Sequence, residues 1–460
     1  MDAIELGALA DAVGVCLEGD LRARLLTGVS TDTRTLRVGD VFFALSGERF
    51  DGAALVEQAF AQGARAVVGP LHSPDCGPRR TLLRVPCVRQ ALVDFGAWYR
   101  GTLRAQVVAI TGSAGKTTTK ELLAAMLLGS RSVVRAPKSF NNEVGVPLTL
   151  LQADRATDVV VLEIGTSGPG EIARLAAVAR PDVAILTLIA PAHLAGLGSV
   201  EGVAREKLAL AAAAQGLVIL NGDDSRLRAW AEGRSDVVRC GFGAANDVRG
   251  SLGVGARPRL RVEGTLGGAL QMPLPGRGPA LDALLALAAA DALGVTPSEA
   301  AEGLRGFRGP QGRMHTIELA RHTLLDDTYN ANPASMRASL GALCELEQPD
   351  RAAAVLGDML ELGAHSEGLH AELGRFVAAQ GLGLLVSVGP LAREVARAAR
   401  EAGMPSERVL DVDDADAVLS ALLPHLNSIR TALFKGSRGA RLERAVAQLR
   451  QHLTPARGAA

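Results

Sequence analysis

A glycine turn between an apolar run and a helix-forming run constrains this chain more than any other segment. Residues Thr111–Lys120 read TGSAGKTTTK and follow the apolar run Val107–Ile110. A strand, a glycine turn and a helix that opens on lysine and threonine make a phosphate-binding loop, although the strict pattern has glycine where Ile110 stands. We expect Lys116 to reach terminal phosphates and the Thr117 hydroxyl to hold Mg²⁺. The alternative is a plain strand-to-helix turn, which needs neither the lysine nor three threonines.

The composition predicts a soluble globular protein of several domains. The chain has 460 residues, of which 48% are hydrophobic and 21% charged, and its formal net charge is zero. A neutral chain offers no electrostatic footprint for nucleic acid. The longest uncharged apolar stretch, Leu208–Leu220, is shorter than the ~20 residues that a membrane span needs, and the first residues lack a signal-peptide pattern. The 5 cysteines form no metal or disulfide pattern, so we expect a cytoplasmic protein.

The order of strands, turns and helices predicts an α/β fold of three domains. Residues 1–100 combine short strands and polar turns with helices. Residues 101–310 alternate continuous apolar strands with helices, which is typical of a parallel sheet covered on both faces. Residues 311–460 repeat this alternation, and we expect a second doubly wound, Rossmann-like domain there.

Apolar runs bounded by turns predict the strands of the two larger domains. In the central domain these strands are Val107–Ile110, Val159–Ile164, Val183–Ile189 and Leu217–Leu220. In the last domain they are Thr323–Asp326, Ala353–Leu356, Leu384–Val388, Val409–Val412 and Ala432–Phe434. The glycine-rich segment Gly250–Pro275 predicts an antiparallel extension of the central sheet, and Leu281–Leu293 predicts a helix.

Three polar residues of the central domain stand where its sheet predicts a site. Glu163 ends a buried strand and His193 follows the next one, and ligands of α/β folds bind at the carboxyl ends of parallel strands. Both side chains suit metal ions beside a nucleotide. Lys207 lies in a predicted helix, and only five of the 49 lysines and arginines are lysines, which favours a role that arginine cannot fill. The alternatives are a solvent-facing glutamate, a structural histidine, and a solvated lysine or one paired with Glu206 or Glu201.

The last domain carries three polar segments, each placed after a predicted strand and before a helix. They are Asp326–Pro333, Gly357–Gly363 and Lys435–Gly439. Lys435 and Arg438 stand at a glycine turn, where they suit an anion. Each segment alone is explained by a capped helix start, but three of them at one edge of a sheet predict a site.

Together these segments resemble the Mur ligases, the ATP-dependent amide-forming enzymes of peptidoglycan synthesis. The matching residues keep the family's order over almost the whole chain. They are Thr111–Thr118, Phe140–Thr149, Glu163–Gly165, Ala192–Leu194, Lys207, Asp327–Pro333 and Lys435–Arg438. Within the family, Tyr329–Met336 and Gly357–Gly363 are similar to the member that acts last. The Asp-Asn-Pro-Arg motif of the sibling that adds the diamino residue is absent from this sequence.

The resemblance implies a ligase that adds D-alanyl-D-alanine to UDP-MurNAc-tripeptide and so forms UDP-MurNAc-pentapeptide. The tripeptide carboxylate takes the γ-phosphoryl group of ATP, and the dipeptide amine attacks the resulting acyl phosphate. Phosphorylation gives a poor electrophile a leaving group, while lysine and Mg²⁺ neutralise charge. The resemblance also implies a cytoplasmic monomer with an N-terminal UDP-binding domain, a central ATP-binding domain, and a C-terminal domain that closes over ATP and binds the dipeptide.

The resemblance also implies a role for each matching residue. Catalytic roles are implied for Lys116, His193 and Lys207, the last of them carbamylated. ATP contacts are implied for Gly112, Ser113, Ala114, Gly115, Lys116, Thr117, Thr118, Asp282, Arg313 and Tyr329. Two Mg²⁺ ions are implied at Thr117, Glu163 and His193. Substrate contacts are implied for Ser30, Thr33, Arg34, Asn141, Asn142, Asn330, Asn332, Lys435 and Arg438, and for the Asp51-Gly52 pair.

The sequence departs from the family's pattern in two places. The family usually has His-Asn-x-x-Asn before the helix that ends the central domain, and here that place reads Gly278–Asp282. Asparagine both donates and accepts at an adenine edge, whereas an ionised aspartate only accepts. We therefore expect Asp282 to accept from the adenine amino group, with weaker or altered nucleotide recognition. Ala53 stands after Asp51-Gly52 where histidine is common, so we expect different UDP contacts.

Two kinds of protein compete with this interpretation. The first is a related ligase, either the sibling that adds a diamino acid to UDP-MurNAc-dipeptide or an enzyme like folylpolyglutamate synthase. Residues 1–100 favour a UDP-linked peptide as the substrate, because folate ligases lack such a domain. The second is a phosphate-loop switch protein that hydrolyses nucleotide slowly. A switch protein does not explain why Glu163, His193 and Lys207 occur together, or why the chain has a further α/β domain.

Overall fold

The computed structural model describes residues 1–17, 19–47, 50–77, 80–137 and 139–454. Within these ranges the chain forms three successive α/β units, each built around its own sheet, and a small two-stranded sheet near the start. Each of the three sheets lies inside one of the ranges 1–100, 101–310 and 311–460. No helix in the described ranges is long and apolar enough to cross a membrane.

The first unit is a four-stranded parallel sheet in the order β3-β4-β5-β6 with helices on its faces. Its strands are β1 Ile4–Glu5, β2 Leu25–Leu26, β3 Gly28–Ser30, β4 Asp40–Phe43, β5 Ala66–Pro70 and β6 Leu82–Val85. Its helices are α1 Leu6–Ala12, α2 Val56–Ala61 and α3 Val88–Arg100. Strands β1 and β2 pair antiparallel beside the main sheet.

Helix α3 joins the first unit to the central one. Phe95 and Tyr99 are buried in the core of the first unit, where the Phe95 ring stacks on Phe43. At the end of α3 the Arg100 guanidinium donates to the Ala179 carbonyl oxygen at 2.8 Å. Because one helix contributes to both cores, the first and central units share a packed interface.

The central unit is a nine-stranded sheet in the order β15-β14-β13-β12-β11-β10-β7-β9-β8. Its strands are β7 Gln106–Thr111, β8 Val133–Arg135, β9 Val159–Glu163, β10 Val183–Leu186, β11 Leu217–Asn221, β12 Val237–Gly241, β13 Val248–Leu252, β14 Arg259–Gly264 and β15 Gly268–Gln271. Its helices are α4 Lys116–Leu127, α5 Gly145–Leu150, α6 Glu171–Ala179, α7 Leu194–Leu197, α8 Val200–Ala213, α9 Ser225–Trp230, α10 Arg277–Ala292 and α11 Pro297–Gly303.

The order of the central strands decides where a ligand can bind. Strand β7 lies between β10 and β9, both parallel to it, so three carboxyl ends meet at one edge. The connections from β7 diverge there, which makes the edge a topological switch point. Strands β13, β14 and β15 pair antiparallel, which confirms the extension predicted over Gly250–Pro275.

The last unit is a six-stranded sheet in the order β16-β17-β21-β18-β19-β20, parallel except for β16. Its strands are β16 His315–Glu318, β17 Thr323–Asp327, β18 Ala352–Gly357, β19 Leu384–Val388, β20 Val409–Val412 and β21 Thr431–Lys435. Its helices are α12 Pro333–Leu346, α13 Ser366–Ala379, α14 Arg393–Glu401, α15 Val418–Leu422 and α16 Glu443–Leu453. The parallel core covered by helices confirms the predicted fold class.

Among the predicted strands and helices, two boundaries differ from the sequence prediction by more than two residues. The strand predicted over Val183–Ile189 ends at Leu186, because Thr187 turns its hydroxyl toward the Thr111 and Ala114 carbonyl oxygens of the phosphate loop. The segment Gly278–Asp282 was expected before the last central helix, but α10 begins at Arg277 and contains it. Asp282 therefore occupies a fixed position in the second turn of a helix.

Candidate active site

The phosphate loop has the backbone conformation that its glycines allow. Gly112 has φ +151° and Gly115 has φ +85°, both in the region that favours glycine. A β-carbon at Gly112 would lie 1.9 Å from Thr187 Oγ1, and one at Gly115 would lie 2.3 Å from an Asp282 carboxyl oxygen. Helix α4 starts at Lys116, whose Nζ donates to the Gly112 carbonyl oxygen at 2.8 Å. Burial lowers the pKa of Lys116.

The Glu163 carboxylate is buried at the centre of the site. It is 1% exposed. The Thr117 hydroxyl donates to Oε2 at 2.7 Å, and Asn141 Nδ2 donates to Oε1 at 2.9 Å. The register places Glu163 opposite Ile110, next to the start of the phosphate loop. The alternative of a solvent-facing glutamate is therefore wrong, and two of the predicted metal ligands lie within hydrogen-bond distance of each other.

His193 reaches the same edge from the segment after β10. Its backbone is left-handed, with φ +53°, and its Nδ1 contacts the Glu361 carboxylate of the last unit. Glu361 is itself left-handed, at φ +64°, and its carbonyl oxygen accepts from the Ala195 amide at 3.3 Å. Left-handed non-glycine residues are uncommon and cluster at functional sites. Burial lowers the pKa of His193, Glu361 opposes this shift, and Lys116 and Lys207 add to it.

Lys207 is a buried amine in α8, not a solvated lysine as one alternative held. It is 1% exposed, and burial, with Lys116 as a second cause, holds its pKa well below the usual value. The alternative ion pairs are also wrong. Glu206 accepts from the Gly170 and Ile172 amides at 2.7 Å each, and Glu201 pairs with Arg226 at 3.2 Å. In the described part of the chain Lys207 has no hydrogen bond or ion pair.

Side chains of the last unit contact the phosphate loop directly. Asn332 Nδ2 donates to the Ser113 carbonyl oxygen at 2.9 Å. Arg313 Nη2 donates to Thr117 Oγ1 at 3.1 Å, and its guanidinium lies 4.1 Å from the centre of the Tyr329 ring. The Tyr329 hydroxyl in turn donates to Ser139 Oγ at 2.7 Å. These contacts hold the last unit against the central one.

The sheet edge of the last unit contributes a buried ion pair. Strands β17 and β21 place Asp327 opposite Lys435, and Lys435 Nζ donates to Asp327 Oδ2 at 2.5 Å and to the Asn330 carbonyl oxygen at 3.1 Å. Asp327 also accepts from Ser339 Oγ at 2.6 Å. Arg438 lies 5.2 Å from the Tyr329 ring centre. Lys435 is thus anchored by a carboxylate, while Arg438 faces the cavity.

Most of the predicted site residues line one cavity of about 810 Å³ between the central and last units. Those lining it are Ser113, Ala114, Gly115, Lys116, Thr117, Thr118, Asn141, Asn142, Glu163, His193, Asp282, Arg313, Tyr329, Asn330, Asn332, Lys435 and Arg438. Gly112 and Lys207 lie behind its wall, near Lys116. The structure therefore brings together residues that are more than 300 positions apart in the sequence.

The predicted UDP-binding residues do not line this cavity. Ser30 Oγ donates to the Asp32 carbonyl oxygen at 2.9 Å, and Arg34 forms an ion pair with Asp32 at 2.6 Å. Thr33 is buried, and Asp51 caps the turn that follows it. These groups bond to close neighbours in the first unit, so their role with UDP stays a prediction about a separate surface.

Asp282 corrects the expectation of an ionised carboxylate. Its side chain is 6% exposed and lies against Gly115 of the phosphate loop. Burial raises the pKa of Asp282 to about 8, so the group is mainly protonated at pH 7. A neutral carboxyl group both donates and accepts, as asparagine does.

Several further residues of the cavity wall were given no role from the sequence, among them Arg89, Ser139, Asp327 and Glu361. Asp327 and Glu361 lie inside two of the polar segments noted in the sequence, so the sequence already indicated where they would lie. No sequence pattern marks Arg89 and Ser139, because only the packing of α3 and the loop after β8 brings them to the cavity.

The residues present fit a nucleoside triphosphate with magnesium. The loop offers a helix N-terminus and a lysine, and its two crowded glycines let the backbone approach an anion. Magnesium in such sites usually binds one or two carboxylates together with phosphate oxygens and water. Glu163, the Thr117 hydroxyl and a neutral His193 provide such a donor set. Among the described residues, no group of three or more His, Cys, Asp and Glu is arranged to hold a metal ion.

Comparison with known proteins gives the same family over most of the chain. The model described as Mur ligase family, catalytic domain, matches residues 25–94. The Mur ligase middle domain matches residues 110–290. The Mur ligase, glutamate ligase domain, matches residues 312–438. All three units are thus matched in the family's order.

Individual relatives match at full length. The Escherichia coli (strain K12) UDP-N-acetylmuramoyl-tripeptide–D-alanyl-D-alanine ligase is 35% identical over 99% of this chain and 100% of its own length. The crystal structure of MurF from Acinetobacter baumannii is 29% identical, covers 98% of this chain and 99% of its own, and has a TM-score of 0.86. The Thermotoga maritima MurF ligase in complex with ADP is 28% identical over 93% of this chain and 97% of its own, with a TM-score of 0.81. From its site and from these matches, the chain belongs to the Mur ligase family.

Proposed function

We propose that this chain is the ATP-dependent ligase that joins D-alanyl-D-alanine to UDP-MurNAc-tripeptide and forms UDP-MurNAc-pentapeptide. The observation that carries the proposal is the single cavity in which Lys116, Thr117 and Glu163 face Asn330 and Arg438. An amide ligase needs a nucleotide, an acid and an amine in one enclosed space, and this cavity has separate polar walls for them. The full-length likeness to ligases of that name supports the choice of substrates.

The phosphate loop and its neighbours hold the nucleotide in this proposal. Residues 112–118 surround the phosphates. The Lys116 amine, which donates to the Gly112 carbonyl oxygen in the structure, turns to contact the phosphates instead. Arg313 and Tyr329 close the loop from the last unit, and Asp282 contacts the base. ATP supplies the phosphoryl group that turns the tripeptide carboxylate into an acyl phosphate. Thr117, Glu163 and His193 would hold the two Mg²⁺ ions, which would neutralise charge on the phosphates.

Lys207 carries a carbamate in this proposal. Carbon dioxide adds to a neutral amine, which forms a nitrogen–carbon bond, releases one proton and leaves a carbamate anion. The burial that lowers the pKa of the Lys207 amine favours that neutral form. The same buried position stabilises the anion, because Lys116 is a cation beside it and His193 would hold a metal ion nearby. Arginine has no such reaction, which agrees with the rarity of lysine in the chain.

The last unit holds the dipeptide and excludes water. Asn330, Asn332 and Arg438 provide donors for a carboxylate and for peptide groups, and Lys435 fixes Asn330 through its carbonyl oxygen. Asn141 and Asn142 hold the tripeptide end on the central side. Closure of the last unit on Ser113, Thr117 and Ser139 protects the acyl phosphate from hydrolysis. The UDP end binds Ser30, Thr33 and Arg34 of the first unit, and the enzyme acts as a cytoplasmic monomer.

Phosphate release tests the proposal. The purified chain with ATP and Mg²⁺ is given UDP-MurNAc-tripeptide, D-alanyl-D-alanine, or both. We expect release only with both, together with a product whose mass equals that of the pentapeptide. Release with UDP-MurNAc-dipeptide and a free diamino acid would move the assignment to the sibling ligase. Release that depends on neither substrate would point to the switch protein.

A further inference from the structure

One wall of the cavity carries charges that the proposed reaction does not use. Arg89 of α3, Glu143 before α5 and Glu171 at the start of α6 all line it. Arg89 is exposed and has no hydrogen bond or ion pair in the described part of the chain. Among the described residues that line this cavity, Arg89 alone comes from the first unit. It is thus a free guanidinium at the junction of two units.

Helix packing holds Arg89 and Glu171 at the same end of their two helices. The last residue of α3, Arg100, donates to the carbonyl oxygen of Ala179, the last residue of α6. Val93 and Ala97 of α3 pack on the same core as Leu175 of α6. Since the two helices end together and share this packing, they run side by side in the same direction. Their first turns, which carry Arg89 and Glu171, therefore lie together at the cavity.

The reacting centre and these charges line the same cavity. Asn141 holds the Glu163 carboxylate at 2.9 Å, and the next residues of the chain, Asn142 and Glu143, also line the cavity. Glu143 is only loosely paired, with Oε1 lying 3.7 Å from Arg174 Nε. A substrate residue whose carboxylate reacts beside Glu163 and Lys116 therefore lies in the same cavity as Arg89 and the two glutamates.

The wall matches a side chain that ends in both charges. On the proposed function, the reacting carboxylate is that of the tripeptide's third, diamino residue. A lysine side chain ends in an ammonium group alone, which would place a second cation beside Arg89. A diamino dicarboxylic acid such as 2,6-diaminopimelate ends in an ammonium and a carboxylate, which fit the glutamates and Arg89 respectively.

We propose that Arg89 is a specificity-determining residue that binds a carboxylate at the end of the third residue's side chain. The enzyme then prefers a tripeptide that ends in 2,6-diaminopimelate over one that ends in lysine. This inference rests on the proposed function, and it adds a substrate contact from the first unit to the site.

The test compares kcat/KM for the two tripeptides in the wild type, Arg89→Gln and Arg89→Lys. We expect the wild type to prefer the diaminopimelate substrate, and the preference to fall about 10- to 100-fold in Arg89→Gln because one charged hydrogen bond is lost. Arg89→Lys keeps the charge and should retain part of the preference. Calorimetric titration of each tripeptide nucleotide without ATP should show the same loss as weaker binding.

A matched control is Arg104→Gln. Arg104 is also an exposed arginine, it follows the opposite end of α3, and it does not line the cavity. We expect it to keep the wild-type preference. An equal loss with both tripeptides in Arg89→Gln would overturn the proposal, since Arg89 would then bind a group that both share, such as the glutamyl carboxylate. An unchanged preference, or a wild type that prefers lysine, would overturn it as well. A wild type that turns over neither tripeptide would instead contradict the proposed function.

Discussion

The two sides of the cavity treat buried ionisable groups in opposite ways. On the edge of the last sheet, Lys435 and Asp327 are buried together and joined at 2.5 Å. On the central side, Lys207 and Asp282 are also buried, but neither has an ion pair in the described part of the chain. Burial therefore shifts both toward their neutral forms, lowering the pKa of Lys207 and raising that of Asp282 to about 8.

The difference separates an anchor from reactive groups. A buried pair resists change because removal of one partner strands the other charge. An unpaired buried amine keeps a lone pair available for chemistry, and strongly perturbed groups of this kind gather at functional sites. The last unit thus supplies fixed geometry, and the central unit supplies the chemistry.

The largest expected effect is the loss of the unpaired amine. Lys207→Met and Lys207→Arg should both lower ligase kcat about 10²- to 10³-fold, because neither side chain can take up carbon dioxide. Depletion of bicarbonate should lower wild-type activity, and its return should restore it. Activity near the wild-type level in Lys207→Arg would show that only a positive charge matters at this position. Lys207 would then not be a reactive amine, in contrast to the anchoring Lys435, as argued above.

The second effect tests the anchor. Lys435→Met should destabilise the protein by about 3 kcal/mol, because the buried Asp327 carboxylate loses its partner. Urea unfolding at pH 7 measures this change. The double variant Lys435→Met with Asp327→Asn should recover much of the stability, since no charge is left unpaired. A loss below about 1 kcal/mol in the single variant would mean that the pair is not an anchor.

The third effect is a dependence on pH that Asp282 alone should produce. Its folded pKa lies above the unfolded value of 3.8, so the protonated group favours folding at low pH and the advantage is lost as the pH rises to about 8. Asparagine does not titrate, so Asp282→Asn should gain stability relative to wild type between pH 4 and 8, by about 1.4 kcal/mol for each pH unit. Thermal unfolding across this range measures the gap.

A difference in stability between the wild type and Asp282→Asn that stays constant with pH would show that Asp282 is ionised in the folded protein.

Nucleotide binding is tested separately. An unchanged KM for ATP in Asp282→Ala would show that this side chain does not contact the base. Asp224→Asn is a control for the replacement of a buried aspartate by asparagine. Asp224 lies in the same unit, where it caps α9 and accepts a hydrogen bond from the Ile189 amide at 2.8 Å.

The smallest effect concerns the hydrogen bond between Tyr329 of the last unit and Ser139 of the central unit. Tyr329→Phe removes the hydroxyl that donates to Ser139 and leaves the ring under Arg313. One neutral hydrogen bond contributes about 1 kcal/mol, so KM for ATP should rise about fivefold with kcat nearly unchanged. Ser139→Ala should behave alike, and the double variant should add little to either. Additive losses would contradict the hydrogen bond as a link between the units.

Much of this arrangement follows from the sequence, because it depends on local patterns. The phosphate loop needs only a strand, glycines and a helix start, and Glu163 needs only the end of a buried strand. The parallel order then gathers carboxyl ends at one edge, which brings Glu163 and the loop together. The segments around Asp327 and Lys435 follow the same logic in the last unit.

The remaining features depend on packing between distant elements. Arg89 lies on the cavity only because α3 runs beside α6, and no local pattern marks it. Glu361 contacts His193 only because the last unit closes on the central one. The protonated state of Asp282 depends on burial against Gly115, which the residue type alone does not reveal. Sequence patterns locate the strand ends, and tertiary contacts decide which charges remain unpaired there.

The crowding around the two loop glycines ties the evolution of the loop to positions outside it. Gly112 leaves no space beside Thr187, and Gly115 leaves none beside Asp282. A smaller residue at Thr187 or Asp282 would clear the space but not the left-handed backbone, which at Gly115 still excludes a β-carbon. A substitution at either glycine therefore meets two separate obstacles, the neighbouring side chain and the backbone conformation, and a second change outside the loop removes only the first.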